Sequence, residues 1–206
     1  MVPVHVRLVR AVKAAVHGLL VICLAVAVSA CSRTPEPAQF AGPTMGTTYH
    51  VTVSGADSLQ KRRAVQSAID RVLAETERHL STYNDASEIS MLNRDESRSW
   101  QDVSPTLFVV LQEARDVSEI TGGAFDITVA PMLALWGYGS ESDGALTHMD
   151  FTPPSSARLE QVRNSVGYAK LELRKAPRTS VRKSAGGMRL TVDGIAPGYA
   201  VDRIAT

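Results

Sequence analysis

The chain has 206 residues, room for one domain or two, and its 44% hydrophobic and 21% charged content is that of a globular protein rather than a long disordered one. Its 22 basic and 21 acidic groups give a formal charge of +1, but Arg7, Arg10 and Lys13 fall in the first thirty residues, which hold no acid, so the remainder sits near −2. That balance, with no block of like charge, excludes a general nucleic-acid binder.

Residues 1–30 read as an export signal. A basic start is followed by an apolar run from Gly18 to Ala30, too short to span a bilayer, which takes about 20 residues. The run ends in Val28-Ser29-Ala30-Cys31, which resembles a bacterial lipobox with Cys31 as the lipidated residue. Cys23 lies inside the removable run. The mature chain is therefore expected to hold Cys31 alone, with no internal disulfide and no cysteine catalysis. The Pro-rich stretch from Ser32 to Pro43 reads as part of a tether over 31–43, and the folded part is expected from Thr44 to Thr206.

Thr47–Val53 alternates, with Tyr49, Val51 and Val53 on one face, and predicts a strand ended by Gly55. From Leu59 to Leu80 the spacing of Val65, Ile69, Val72, Leu73 and Leu80 predicts a helix. The polar stretch from Ser81 to Asn93 reads as a turn-rich loop. Ser104-Pro105 starts a second helix, whose stripe of Leu107, Val110, Leu111, Ala114 and Ile120 runs to Gly122-Gly123. Ser140–Ser156 reads as a surface loop. Ser155 or Ser156 then caps a short helix closed by Gly167. Residues 169–174 and 188–192 predict two strands joined by a polar, basic connection from Lys175 to Gly187. The chain then turns and enters a helix with Pro197 near its start. Helices and strands alternate irregularly, so the class is α+β, with a mixed sheet and packed helices.

Four stretches at element boundaries combine small residues with one aromatic or Met. They are Gly42–Tyr49, Ser81–Ser90, Gly122–Pro131 and Val192–Asp202. Such turns let a ligand approach the backbone, though each taken singly is more often only a turn. Asp126 poses a sharper question, because its stretch otherwise looks built for burial. Either it faces water, or backbone N–H groups, a cation or a ligand satisfy it. His50, on the polar face of its strand, reads as structural, and His79 and His148 match no catalytic motif.

Together these stretches resemble the ApbE family of FAD:protein FMN transferases. The matching segments are Thr44-Met45-Gly46-Thr47, the S-T-Y segment from Ser81 to Ile89, Gly122 to Gly139, and the block ending in Gly194–Asp202. The resemblance runs from Thr44 to the end and implies the ApbE-like fold. It also implies an enzyme that binds FAD with Mg²⁺, splits the pyrophosphate and transfers FMN to a threonine hydroxyl of a partner redox protein. By matched position Met45, Tyr83, Ala124, Phe125, Asp126 and Pro197 are FAD contacts, and the Gly194 backbone oxygen is a metal ligand. The family's leading Asp falls on Thr191 here, and an acid stands two residues later at Asp193; both are candidate contacts. The family continues well past the point matching Thr206, so the resemblance implies an amino-terminal portion lacking most metal ligands. With the lipobox, it implies a lipid-anchored protein on the periplasmic side of a bacterial envelope. The alternatives are a flavin-binding lipoprotein without transfer, a Mg²⁺-dependent FAD pyrophosphatase, and an envelope structural lipoprotein.

Overall fold

The computed structural model describes residues 36–138 and 152–206, with a few positions between 13 and 18. The lipobox with Cys31, and most of the 140–156 loop, lie outside the described residues. The first element is an antiparallel hairpin of Ala38–Thr44 (β1) and Thr47–Val53 (β2), turned by Met45-Gly46. Both turn residues have positive φ, 44° and 70°, which suits the twist of a two-residue hairpin. Gly42 lies opposite Tyr49, and a Cβ there would meet the tyrosine ring at 2.9 Å, so the glycine makes room for that ring. Folding thus begins before Thr44. The expected tether runs into β1, where Ala38 and Phe40 are buried, because an alternating pair of apolar side chains outweighs the Pro-rich flank.

Helix α1, Leu59–Leu80, has Ser58 as N-cap, its side chain accepting from Lys61 N, and buries Ile69, Leu73 and Leu80. The stretch expected as a loop after it contains a helix, α2, Glu88–Arg94, capped by Ser87 and burying Ile89 and Leu92. Polar composition hid it: Ser87 is a cap, and Ser90 and Asn93 are buried polar residues with hydrogen-bond partners. After a two-residue strand, Gln101–Asp102 (β3), Ser104 caps α3, Pro105–Ile120, with Pro105 in the first turn. Leu107, Val110, Leu111 and Ala114 are buried, each of the larger ones stabilising by about 1.5–3 kcal/mol. Ile120 is the exception to the predicted stripe. It is 86% exposed, at a helix end past the core. Short helices α4, Ala130–Leu135, and α5, Ser156–Arg163, follow; Ser155 is the cap of α5.

A second sheet has the order β3-β5-β4, with β4 at Leu171–Arg174 and β5 at Ser180–Lys183, all antiparallel. Strand β5 lies inside the connection expected to be a loop. The 188–192 segment, expected as its partner, is not in the ladder. It buries Met188, Leu190 and Val192, and touches a neighbouring segment through one parallel bridge, Val129 to Arg189. Its backbone groups go elsewhere: Leu190 N–H donates to Asn93 Oδ1 at 2.7 Å, Asn93 Nδ2 donates to Leu190 O at 2.8 Å, and Thr191 N–H donates to Ile127 O at 2.8 Å. The last helix, α6, spans Ala196–Ala205. One core joins α2, α3, the second sheet and 188–196; a smaller one seats the β1–β2 hairpin on α1 and α6.

Candidate functional site

The turn after α1 is tied by its own serines. Ser81 O accepts from Ser87 Oγ and, at 3.2 Å, from Ser90 Oγ. Beside it, Glu88 takes the N–H of Ser104 at 2.6 Å, and its other oxygen meets the Ser104 hydroxyl and His79 Nδ1, the latter at 2.6 Å. These bonds join the end of α1 to the starts of α2 and α3. They fix the loop that carries Thr82 and Tyr83 while leaving the Tyr83 ring 68% exposed. His79 and Glu88 carry no signature in sequence, since their partners come from three different elements.

Met45, at the tip of the hairpin, is held in the left-handed region that a non-glycine residue seldom occupies. Its N–H faces Glu77 Oε1 at 3.5 Å. Met45, Leu80, Tyr83, Asp193 and Pro197 line one cleft of about 140 Å³, room for a ring-sized group rather than a whole dinucleotide. Thr82 belongs to the same cleft and donates its hydroxyl to Asp193 Oδ1 at 2.9 Å. Sequence reasoning missed Thr82; its adjacency to Tyr83 was the available signal.

The Asp126 stretch does not line this cleft; Phe125 packs on Gly194, next to the cleft residue Asp193. A Cβ on Gly194 would lie 3.2 Å from Phe125 Cε2, so the ring rests directly on that glycine. Ala124, one residue earlier, is exposed. The Asp126 carboxylate is occupied by the protein itself: Oδ1 accepts from Thr128 N at 2.8 Å and Thr128 Oγ1 at 2.6 Å, and Oδ2 from Tyr168 N at 2.9 Å. Thr128 Oγ1 in turn accepts from Gly167 N–H. So the half-buried carboxylate is satisfied by backbone and hydroxyl donors without needing a ligand. Thr191 uses its N–H on Ile127, and its hydroxyl faces Asp193 N at 3.4 Å.

At the 192–196 turn, Ile195 and Ala196 both donate to Val192 O, while the Gly194 carbonyl accepts none of the backbone hydrogen bonds found there. The exposed Asp193 carboxylate and the Gly194 carbonyl are adjacent oxygen donors, a set that suits a hard divalent cation such as Mg²⁺. Among the described residues no group of three His, Cys, Asp or Glu forms a metal cage.

The ApbE family model matches residues 45–206. The chain belongs to the ApbE family. A Vibrio cholerae protein named FAD:protein FMN transferase is 29% identical over 189 residues, covering 92% of this chain and 54% of that protein. Among solved structures, the flavin transferase ApbE of Vibrio cholerae, in a mutant form, matches with a TM-score of 0.73 and 31% identity, over 82% of this chain and 55% of that one. The apo form of the Pseudomonas stutzeri flavinyl transferase ApbE matches with a TM-score of 0.71 and 27% identity, over 82% and 51%. The chain thus spans about half the length of these ApbE relatives. Its α+β fold is that of ApbE flavin transferases. Three of the four segments singled out in sequence line the cleft, and the fourth, Gly122–Pro131, touches the last of them through Phe125 and Gly194.

Proposed function

We propose that the Met45–Tyr83–Asp193–Pro197 cleft of this chain seats one ring-bearing part of FAD, and that the chain serves the transfer of FMN from FAD to a threonine hydroxyl of a partner redox protein. The observation that carries the reading is the convergence of three separated segments on one cleft, with the Phe125–Gly194 contact joining the fourth. The names of the relatives support the activity. In the reaction the threonine oxygen forms a bond to the phosphorus of the FMN portion. The pyrophosphate P–O bond breaks, AMP leaves with the bonding electrons, and the hydroxyl proton is released.

Phosphoryl transfer asks the protein mainly for positioning and charge neutralisation. Tyr83 offers an exposed ring for stacking, and the Met45 thioether offers a polarisable wall on the same cleft. The missing side chain of Gly194 makes room for the Phe125 ring, which packs the Gly122–Pro131 segment against the last turn. Asp193 and the Gly194 carbonyl would hold Mg²⁺, which supplies neutralisation of the phosphate oxygens when bound. Thr82 keeps the Asp193 carboxylate turned to the cleft. Asp126 acts through the backbone by fixing the Phe125 loop against Tyr168. The sequence of residues 1–31 supports attachment through Cys31 to the envelope, on its periplasmic side; loss of lipid labelling in Cys31→Ser tests that attachment.

The test of function is incubation with FAD, Mg²⁺ and a candidate redox subunit. A fluorescent, mass-shifted threonine peptide upholds transfer. Free FMN and AMP alone would identify a pyrophosphatase, and FAD binding without either product a flavin-holding protein.

A further inference from the structure

Tyr83 lines the cleft with 68% of its surface exposed, so the main chain of residues 81–87 aims its ring more than packing does. That loop closes on α2. Ser87 N–H donates to Asn84 O at 2.9 Å, and Ala86 N–H to Asn84 Oδ1 at 2.9 Å. Arg94 Nη2, at the far end of α2, donates to Asp85 O at 2.6 Å. With Ser87 and Ser90 both on Ser81 O, the loop and α2 form one unit.

Glu88, the first residue of α2, seats this unit on the rest of the fold. Its Oε1 accepts from Ser104 N–H at 2.6 Å, and its Oε2 meets the Ser104 hydroxyl at 2.5 Å and His79 Nδ1 at 2.6 Å. An ionised carboxylate has no proton to give, so the last bond takes the Nδ1–H form of His79. Both side chains of that pair are only 20% exposed. Ser104 caps α3, whose Leu107, Val110 and Leu111 lie in the core, so the anchor is rigid. Ser, His and Glu are the members of a hydrolase triad, but they are not wired as one. Glu88 and Ser104 meet the same ring nitrogen, and the Ser104 hydroxyl also accepts from Leu107 N–H at 3.1 Å. Neither Glu88 nor His79 lines the cleft.

We infer that Glu88, with His79 as its donor, is a positioning residue of the flavin site. It fixes the seat of the 81–87 loop and through it aims Tyr83 at the ring-bearing part of FAD. Hydrogen bonds to a shared carboxylate set direction, which apolar packing alone leaves loose. The inference rests on the flavin reading and adds to it two residues outside the cleft.

The experiment measures FAD affinity with Mg²⁺ in the parent, Glu88→Gln, Tyr83→Leu and the double variant. Amide hydrogen exchange at residues 82–87 is read without ligand. Glu88→Gln keeps the size of the side chain but sets an NH₂ group against a donor. It is expected to weaken FAD binding about fivefold to tenfold and to speed exchange at 82–87. In the Tyr83→Leu background most of that loss should vanish, because the ring being aimed is gone. His79→Leu should repeat the loss, and His79→Asn, whose amide nitrogen can stand where Nδ1 stood, should restore most of the affinity. Should Glu88→Gln not fold, the cycle is run with His79→Leu. Unchanged FAD affinity, unchanged exchange, equal losses in both backgrounds, or no rescue by His79→Asn would each overturn the role and leave the flavin reading standing. No FAD binding by the parent would overturn both.

Discussion

The hydroxyl of Thr82 donates to the carboxylate of Asp193 at 2.9 Å, across 111 positions of sequence. It is the direct side-chain tie between the Ser81–Ser90 turn and the block that leads into α6. Asp193, two residues past Thr191, thus has its own hydroxyl partner.

Thr82→Val keeps the shape of the side chain and removes the donor. FAD affinity measured with Mg²⁺ is expected to fall about fivefold to tenfold, with the melting temperature nearly unchanged because the bond is exposed. Thr82→Ser should restore most of the affinity. Equal affinity in all three proteins would remove Thr82 from the site.

Asp126 tests a different kind of role. Its carboxylate accepts three hydrogen bonds from Thr128 and Tyr168, and the Thr128 side chain is fully buried. Asp126→Ala is therefore expected to cost about 2 kcal/mol of stability, read as a lower urea midpoint without ligand. A midpoint equal to that of the parent would mean that the carboxylate is held for a ligand instead.

Gly194 and Phe125 are in steric register. Gly194→Ala brings a Cβ to 3.2 Å from the Phe125 ring, so the ring must shift. The single variant is expected to lose about 1 kcal/mol of stability and several-fold in FAD affinity. In a Phe125→Leu background the cost of Gly194→Ala should shrink, a coupling that a double-mutant cycle measures. Strict additivity would show that the contact is not energetically significant.

Asp57, just before the cap of α1, is held below the usual carboxylate range, first by the hydrogen bond from Lys61 and then by its charge. A carboxylate depressed in the folded state contributes stability that is present above its unfolded pKa and is lost as pH falls through the folded value. Asp57→Asn is thus expected to lower the melting temperature slightly at neutral pH, with the difference from the parent shrinking as the pH falls through the depressed carboxylate range. Added salt should shrink the neutral-pH difference, because the pair is exposed. A difference that grows in acid would contradict this assignment.

Local chemistry was legible wherever it stayed local. Ser104 and Ser155 cap their helices as their hydroxyls dictate, and the apolar spacing of Ile69, Leu73 and Leu80 sets the buried face of α1. The hydrophobic alternation of 188–192 marked burial correctly but not pairing. Its backbone partners, Asn93 and Ile127, lie far away in the chain. Strand β5 was hidden by its charges, because Arg182 faces outward on Trp100 and Lys183 is buried against carbonyls of α2.

By itself, then, the sequence determined the caps at Ser104 and Ser155, the buried faces of α1 and most of α3, the α+β class and the four segments that resemble the family, since these depend on spacing within a few turns of chain. Only the tertiary structure decided that Thr82 meets Asp193, that Phe125 rests on Gly194, and that Asp126 spends its carboxylate on Thr128 and Tyr168. Those choices belong to distant groups that find partners only after the core has closed, because a buried polar atom takes whichever donor packing brings within reach.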